Sequence, residues 1–140
     1  MTAPDTAAPH RSKTLAGALA LLAGSVGAHR LYLGARWWWI YPLLSMPAMA
    51  IALRADPWYR HPGFFFAAVV ALAAMLEAIV ICLTPDAKWD AKHNPRSGRS
   101  SASGWPAVLV AMASLMLGAT LMMSVLAIAL EALFTSMSGR

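Results

Sequence analysis

Four apolar blocks, at residues 15–28, 37–53, 64–83 and 105–134, divide the chain, and nearly all of its charge falls in the connections at 29–36, 54–63 and 84–104. A helix rising about 1.5 Å per residue needs about 20 apolar residues to cross hydrocarbon about 30 Å thick, and soluble cores do not use runs so long and unbroken. Composition agrees: 59% of the residues are hydrophobic and 12% charged, where a soluble domain carries about 25% charged residues. The fold class this predicts is an all-α integral membrane protein of about four transmembrane helices, because a helix satisfies its own backbone groups in lipid.

The blocks differ in how well they fit a bilayer. Residues 64–83 match its thickness, whereas residues 105–134, at roughly 45 Å as a helix, must tilt or project beyond the headgroups. Residues 37–53 carry Pro42 and Pro47 and read as a kinked span. Residues 15–28 reach only about 21 Å, and three readings stay open: a short span, a re-entrant segment, or a signal-peptide core. The last has a basic start at His10, Arg11 and Lys13 and a small-residue cleavage site at Val26-Gly27-Ala28. Outside the blocks, residues 1–13 read as a disordered tail and residues 95–104, rich in Ser and Gly, as a flexible linker. Residues 85–93 read as a short interfacial helix, with Thr84 as N-cap, Pro85 at the first helical position and Asp86 at the positive end of the dipole.

Topology rests on aromatic anchors and basic residues. Trp37, Trp38, Trp39, Trp89 and Trp105 are expected as interfacial anchors at one membrane face, with Trp58 and Tyr59 at the other. If every block spans, Lys and Arg divide six against five between the faces; if the first block dips in and returns, Arg11 and Lys13 change sides and the division becomes eight against three. The Trp-rich face, with the loop 84–104, is therefore expected to be cytoplasmic. The net charge of +5 is dispersed over these loops, a pattern for anionic lipid headgroups and not for nucleic acid.

Few residues carry chemistry. Glu77 lies six residues inside the third block, about 9 Å from its end, and an ionisable group at that depth calls for a partner. Arg30 is the expected one, either pinning helices together or handling protons. Small residues at Ala16, Ala20, Gly24 and Ala28, and at Ala74 and Ala78, recur every fourth position and suit close helix packing. The single cysteine, Cys82, excludes a disulfide framework. Asp86, Asp90 and His93 read as a solvated helix face in preference to a metal site, and no nucleophile–base pair or phosphate-binding glycine loop is present. Neither a metal nor a cofactor is expected, nor is enzymatic activity.

Arg11-Ser12-Lys13, the first block, and then Gly27-Ala28-His29-Arg30-Leu31-Tyr32-Leu33-Gly34 resemble the signature of the two-transmembrane-helix, or TM-2, domain family. The resemblance is clear over residues 11–53 and extends, in bacterial members, to an acidic residue in a later helix and a segment like Asp86 to Asn94, giving a membrane domain over residues 14–94. Leu31 stands where that family usually has Phe, and Glu77 where Asp is common. The resemblance implies a helical hairpin joined through the His-Arg-Leu-Tyr turn, a bacterial inner-membrane location and no established catalytic activity. It argues against cleavage after Ala28, which would destroy the motif. The expected function is a non-enzymatic membrane interaction or assembly role, with a membrane-protein partner or a homo-oligomer. The alternative is a small transporter or ion-conducting oligomer using Glu77 with Arg30.

Overall fold

The computed structural model describes residues 8–139, and every regular element among the described residues is helical. Six α-helices follow in order: α1 Lys13–Ala23, α2 Ala28–Tyr32, α3 Ile40–Ala52, α4 Pro62–Leu83, α5 Asp86–His93 and α6 Gly104–Ser138. Two of them, α4 and α6, are long and apolar enough to cross a membrane.

α4 is the axis on which the others pack. His61 caps it, its Nδ1 accepting from the Gly63 amide at 3.0 Å, and Pro62 occupies the first position, where a missing N–H is harmless. Its 22 residues give about 33 Å, enough for hydrocarbon.

The first apolar block is neither a full span nor a single helix. Ser12 caps α1, accepting from the Leu15 amide at 3.3 Å, and the helix descends along α4 from Cys82 to Ala74, a distance of about 12 Å. Glycines set this approach: a Cβ at Gly17 would sit 2.1 Å from the Cys82 sulfur, and one at Gly24 would sit 2.4 Å from the Ala74 Cβ. The chain then tightens into a single 3-10 turn and reverses at Gly27, whose φ of 72° is left-handed and which faces the Trp38 carbonyl too closely for a side chain. α2 climbs back. Its end meets the start of α1, with the Ser12 amide donating to the Tyr32 hydroxyl at 2.9 Å and the Arg11 guanidinium donating to the Leu33 carbonyl. Both ends of this hairpin lie at the C-terminal end of α4, where Lys13 Nζ reaches the Thr84 carbonyl at 2.7 Å and the Asp86 carboxylate at 2.6 Å. The expected single helix over 14–28 is replaced by α1, a 3-10 turn and the start of the returning α2.

α3 takes up where the hairpin tip leaves off. Ser45 Oγ donates to the Ser25 carbonyl at 2.6 Å, and further along the Ala48 carbonyl closes on Gly63 at the start of α4. α1 and α3 thus cover the two halves of α4 in turn. At 13 residues, about 20 Å, α3 is shorter than the expected 37–53 span. Pro42 falls in its first turn, where no intrahelical donor is needed, so Pro47 is the one interior proline.

α6 runs antiparallel to α4, with Ala107 and Ala111 against Cys82, Gly118 opposite Met75, and Glu131 paired with Arg60. Its 35 residues, about 52 Å, exceed the expected 105–134 and any bilayer core.

The segment before α6 is tied down, in contrast to the flexible linker expected at 95–104. Asp90 accepts from the Ser101 amide and hydroxyl, both at 2.6 Å, and Asp86 from the Ser103 amide and hydroxyl at 3.1 and 2.8 Å. Composition signalled flexibility because serine is usually solvated; here two carboxylates one helical turn apart capture the serines. Part of the expected N-terminal tail is also fixed: the Arg11 amide donates to Asn94 Oδ1 at 2.7 Å, while residues 1–7 lie outside the described residues. Thr84 does not cap α5, since its hydroxyl donates back to the Val80 carbonyl at 2.6 Å.

Candidate functional site

The polar centre of the molecule is the Glu77 carboxylate. α4 carries it inward, and the hairpin and α3 bring three side chains to it. His29 Nε2 donates to Oε2 at 2.7 Å, Arg30 Nε donates to Oε2 at 3.1 Å and its Nη2 to Oε1 at 2.5 Å, and the Tyr41 hydroxyl donates to Oε1 at 2.5 Å. The Arg30 carbon Cζ lies 5.1 Å from the Tyr41 ring centroid, and His29 meets that ring edge-on at 5.4 Å, so the cation also gains a π-face.

These contacts explain how a carboxylate fits so deep. An isolated ionised group near a bilayer centre costs about 2.5–3.5 kcal/mol on insertion scales, but Glu77 and Arg30 sum to zero charge and each carboxylate oxygen accepts two charge-assisted or hydroxyl donors. His29 is fully buried. Its Nδ1 finds no hydrogen-bond partner among the described residues. Glu77 and Arg30 side chains keep 30% and 36% exposure, facing an open groove of about 570 Å³ walled by Leu33, Leu76, Val80 and Ile81.

Residues 9–53 match the family model of the TM2 domain. Over that stretch the chain is similar to the TM2 domain. No curated protein and no solved structure gives a significant match. The matched segment therefore supplies His29, Arg30 and Tyr41, while Glu77, which gathers them, lies beyond it. Within the matched segment the turn motif Gly27 to Gly34 serves the hairpin by parts: Gly27 reverses it, His29 and Arg30 bind Glu77, Tyr32 and Leu33 bind the start of α1, and Gly34, at a φ of 70°, lies against the Arg11 guanidinium. Ala28 is half-buried and Leu31 is exposed.

The helix-packing set is likewise placed. Ala16 and Ala20 are buried on α1, Gly24 in the 3-10 turn that follows it, and Ala74 and Ala78 on α4, as contacts within this chain. Among the expected interfacial anchors, Trp37, Trp38, Trp39 and Trp105 are exposed, but Trp89 is not. Its indole is 2% exposed, donates from Nε1 to the Arg11 carbonyl at 2.9 Å and packs on His93; it fastens the N-terminus to α5 and does not reach headgroups. Asp86, Asp90 and His93 do not converge, and no cluster suited to a metal occurs among the described residues.

Sequence reasoning found Arg30 and missed His29 and Tyr41 as partners of Glu77. A signal existed for Tyr41: a phenol within an apolar helix needs a hydrogen-bond partner. At the same end, Lys13 and Ser103 hold the Asp86 carboxyl below its ordinary value, and Asn94 and Ser101 bring Asp90 down to about 2. Burial, with the charges of Lys92 and Arg11 beside it, lowers His93.

Proposed function

We propose that this is an integral membrane protein whose TM2 domain acts as a non-enzymatic membrane interaction or assembly module. The observation that carries this reading is the engagement of Glu77 by three side chains of its own chain, which makes the polar cluster a clamp for the re-entrant hairpin. In this reading α4 and α6 cross the bilayer, α3 crosses it together with the turns that flank it, and α1–α2 dips in from the side where α5 lies. That side is cytoplasmic by the positive-inside rule, since by their place in the sequence Arg11, Lys13, Arg30, Arg36, Lys88, Lys92, Arg96 and Arg99 fall on it and Arg54, Arg60 and Arg140 on the other. A bacterial inner membrane is the proposed location and rests on the family resemblance alone. The proposed partner is a second membrane protein held on the exposed apolar faces of α3 and α6.

A second reading is favoured by one feature. Arg30 and Glu77 border an open groove, the arrangement a small transporter or ion-conducting oligomer would need. Purification in mild detergent followed by reconstitution separates the two. The first reading expects a second protein retained at fixed stoichiometry and vesicles without pH-dependent flux. A homo-oligomer with pH-dependent flux that Glu77→Gln abolishes would replace it with the second.

A further inference from the structure

Two recesses meet at the end of α5. The outer one, about 370 Å³, is lined by Ala8, Pro9, Arg11, Lys92, His93, Asn94, Pro95 and Arg96. The inner one is the groove beside Glu77, which shares Lys92 and His93 and continues along α4 past Ile81, Val80 and Leu76. Their linings differ in kind. Among the described residues Arg11, Lys92 and Arg96 line the outer recess and no carboxylate does. The two acids of α5 are engaged elsewhere, Asp90 by Asn94 and Ser101 and Asp86 by Lys13 and Ser103. The inner groove offers an apolar wall in which Leu76 and Val80 stand well exposed, while its own charges, Arg30 and Glu77, cancel.

A surface that is cationic at its mouth and apolar along its depth is complementary to one class of molecule, an amphiphile with an anionic head. We propose that this cleft binds an anionic phospholipid, its phosphate held by Arg11, Lys92 and Arg96 and one acyl chain lying along Leu76, Val80 and Ile81. Basic pockets between helices at a membrane surface bind such headgroups by charge, and the continuous apolar wall adds what a free anion cannot use. Because the headgroup is recognised by charge, phosphatidylglycerol and related anionic lipids are bound and phosphatidylcholine is not. The lipid would close the groove over the Arg30–Glu77 pair, giving the hairpin a bound lipid as its outer wall. The inference rests on the reading of the chain as an integral membrane protein with this end at the bilayer surface.

The test is native mass spectrometry of the full chain in a neutral maltoside detergent, titrated with phosphatidylglycerol or phosphatidylcholine of identical acyl chains. The expected result is one tightly retained phosphatidylglycerol that survives excess inorganic phosphate, with at least tenfold preference over phosphatidylcholine. At roughly fivefold in affinity for each basic residue near a lipid surface, Lys92→Gln with Arg96→Gln should reduce retention about 25-fold. Lys88→Gln with Arg99→Gln removes the same charge outside the recess and should leave retention unchanged. Equal loss in both pairs would overturn the site in favour of diffuse attraction, and displacement by inorganic phosphate would reassign it to a free anion. Leu76→Trp, which fills the apolar groove without touching a charge, should also lower retention; unchanged retention would remove the acyl-chain contact from the proposal. A chain that needs detergent for extraction yet shows no headgroup preference defeats this inference alone. One released from membranes by alkaline carbonate defeats the membrane reading with it.

Discussion

The hairpin α1–α2 and the long helix α6 are both apolar, yet they are held in place by different means. α6 has length: it lies along α4 through small residues, and among the described residues its one ion pair to the rest of the molecule is Glu131 with Arg60. The hairpin has no such length. At 11 and 5 residues its limbs fall short of a bilayer, so depth and direction must be fixed by specific contacts. Those contacts are glycines that admit neighbours to within side-chain distance, a left-handed reversal at Gly27, and the hydrogen bonds of Glu77. Hydropathy suffices to place a spanning helix. A re-entrant segment needs geometry, and its stability should be correspondingly sensitive to single atoms.

The largest contrast is at glycine. Gly27→Val demands a β-branched residue at a φ of 72° and a Cβ 2.5 Å from the Trp38 carbonyl oxygen, and we expect about 3 kcal/mol or more of destabilisation. At Gly118 of α6 an added Cβ lies 3.6 Å from the Met75 sulfur, an ordinary contact. Gly118→Ala should therefore be neutral or stabilising by up to about 1 kcal/mol through helix propensity. Unfolding midpoints in mixed detergent and dodecyl sulfate measure both; equal effects would mean that the hairpin is no more finely fitted than α6.

Next in size is the clamp. Breaking a buried ion pair costs about 3–5 kcal/mol, and the partial exposure of Glu77 and Arg30 places Glu77→Gln at the lower end, about 2–3 kcal/mol. Adding Arg30→Gln to that variant should recover part of the loss, because the second change removes the charge the first left unpaired. Losses that simply add would show that Arg30 and Glu77 are not coupled and that His29 and Tyr41 hold the hairpin alone.

This difference also explains what the sequence disclosed. α4 and α6 were legible because length and apolar content are read directly from the chain, and Arg30 as the partner of Glu77 followed from an acid at depth needing a cation on the same side. The direction of residues 15–28 was not legible: a 14-residue apolar stretch is compatible with spanning, dipping or cleavage, and the deciding contacts, Tyr32 to Ser12 and Lys13 to Asp86, are long-range. Tertiary capture misled composition at two further places. The serine-rich stretch of 97–103 reads as a linker by composition, yet Asp90 binds Ser101 and Asp86 binds Ser103, and Trp89 reads as a headgroup anchor although it closes over the N-terminal segment at Arg11.

That captured segment gives a smaller, pH-dependent effect. Asp90 falls from an ordinary 3.8 to about 2 and Asp86 is lowered with it, so their contribution is fully present above about pH 4 and is lost as the pH falls toward about 2. A dye on cysteine introduced at Ala102, in a Cys82→Ala background, should keep constant anisotropy from pH 7 to 4 and become mobile below that. Asp90→Ala should be mobile already at pH 7. Constant anisotropy in that variant would mean that Asp86 and Ser103 alone hold the segment.

The smallest effect tests the comparison from the other side. Arg60 and Glu131 join α6 to the far end of α4, but Glu131 is 59% exposed, and exposed pairs contribute about 0–1 kcal/mol. Glu131→Gln should move the unfolding midpoint by less than half of what Glu77→Gln does, although both remove one carboxylate from one arginine. The reason lies with the carboxylates: Glu131 is 59% exposed and pairs with Arg60, whereas Glu77 is 30% exposed and accepts from His29, Arg30 and Tyr41. If Glu131→Gln proved as damaging as Glu77→Gln, α6 would depend on a specific polar contact as the hairpin does, and length would no longer account for its position.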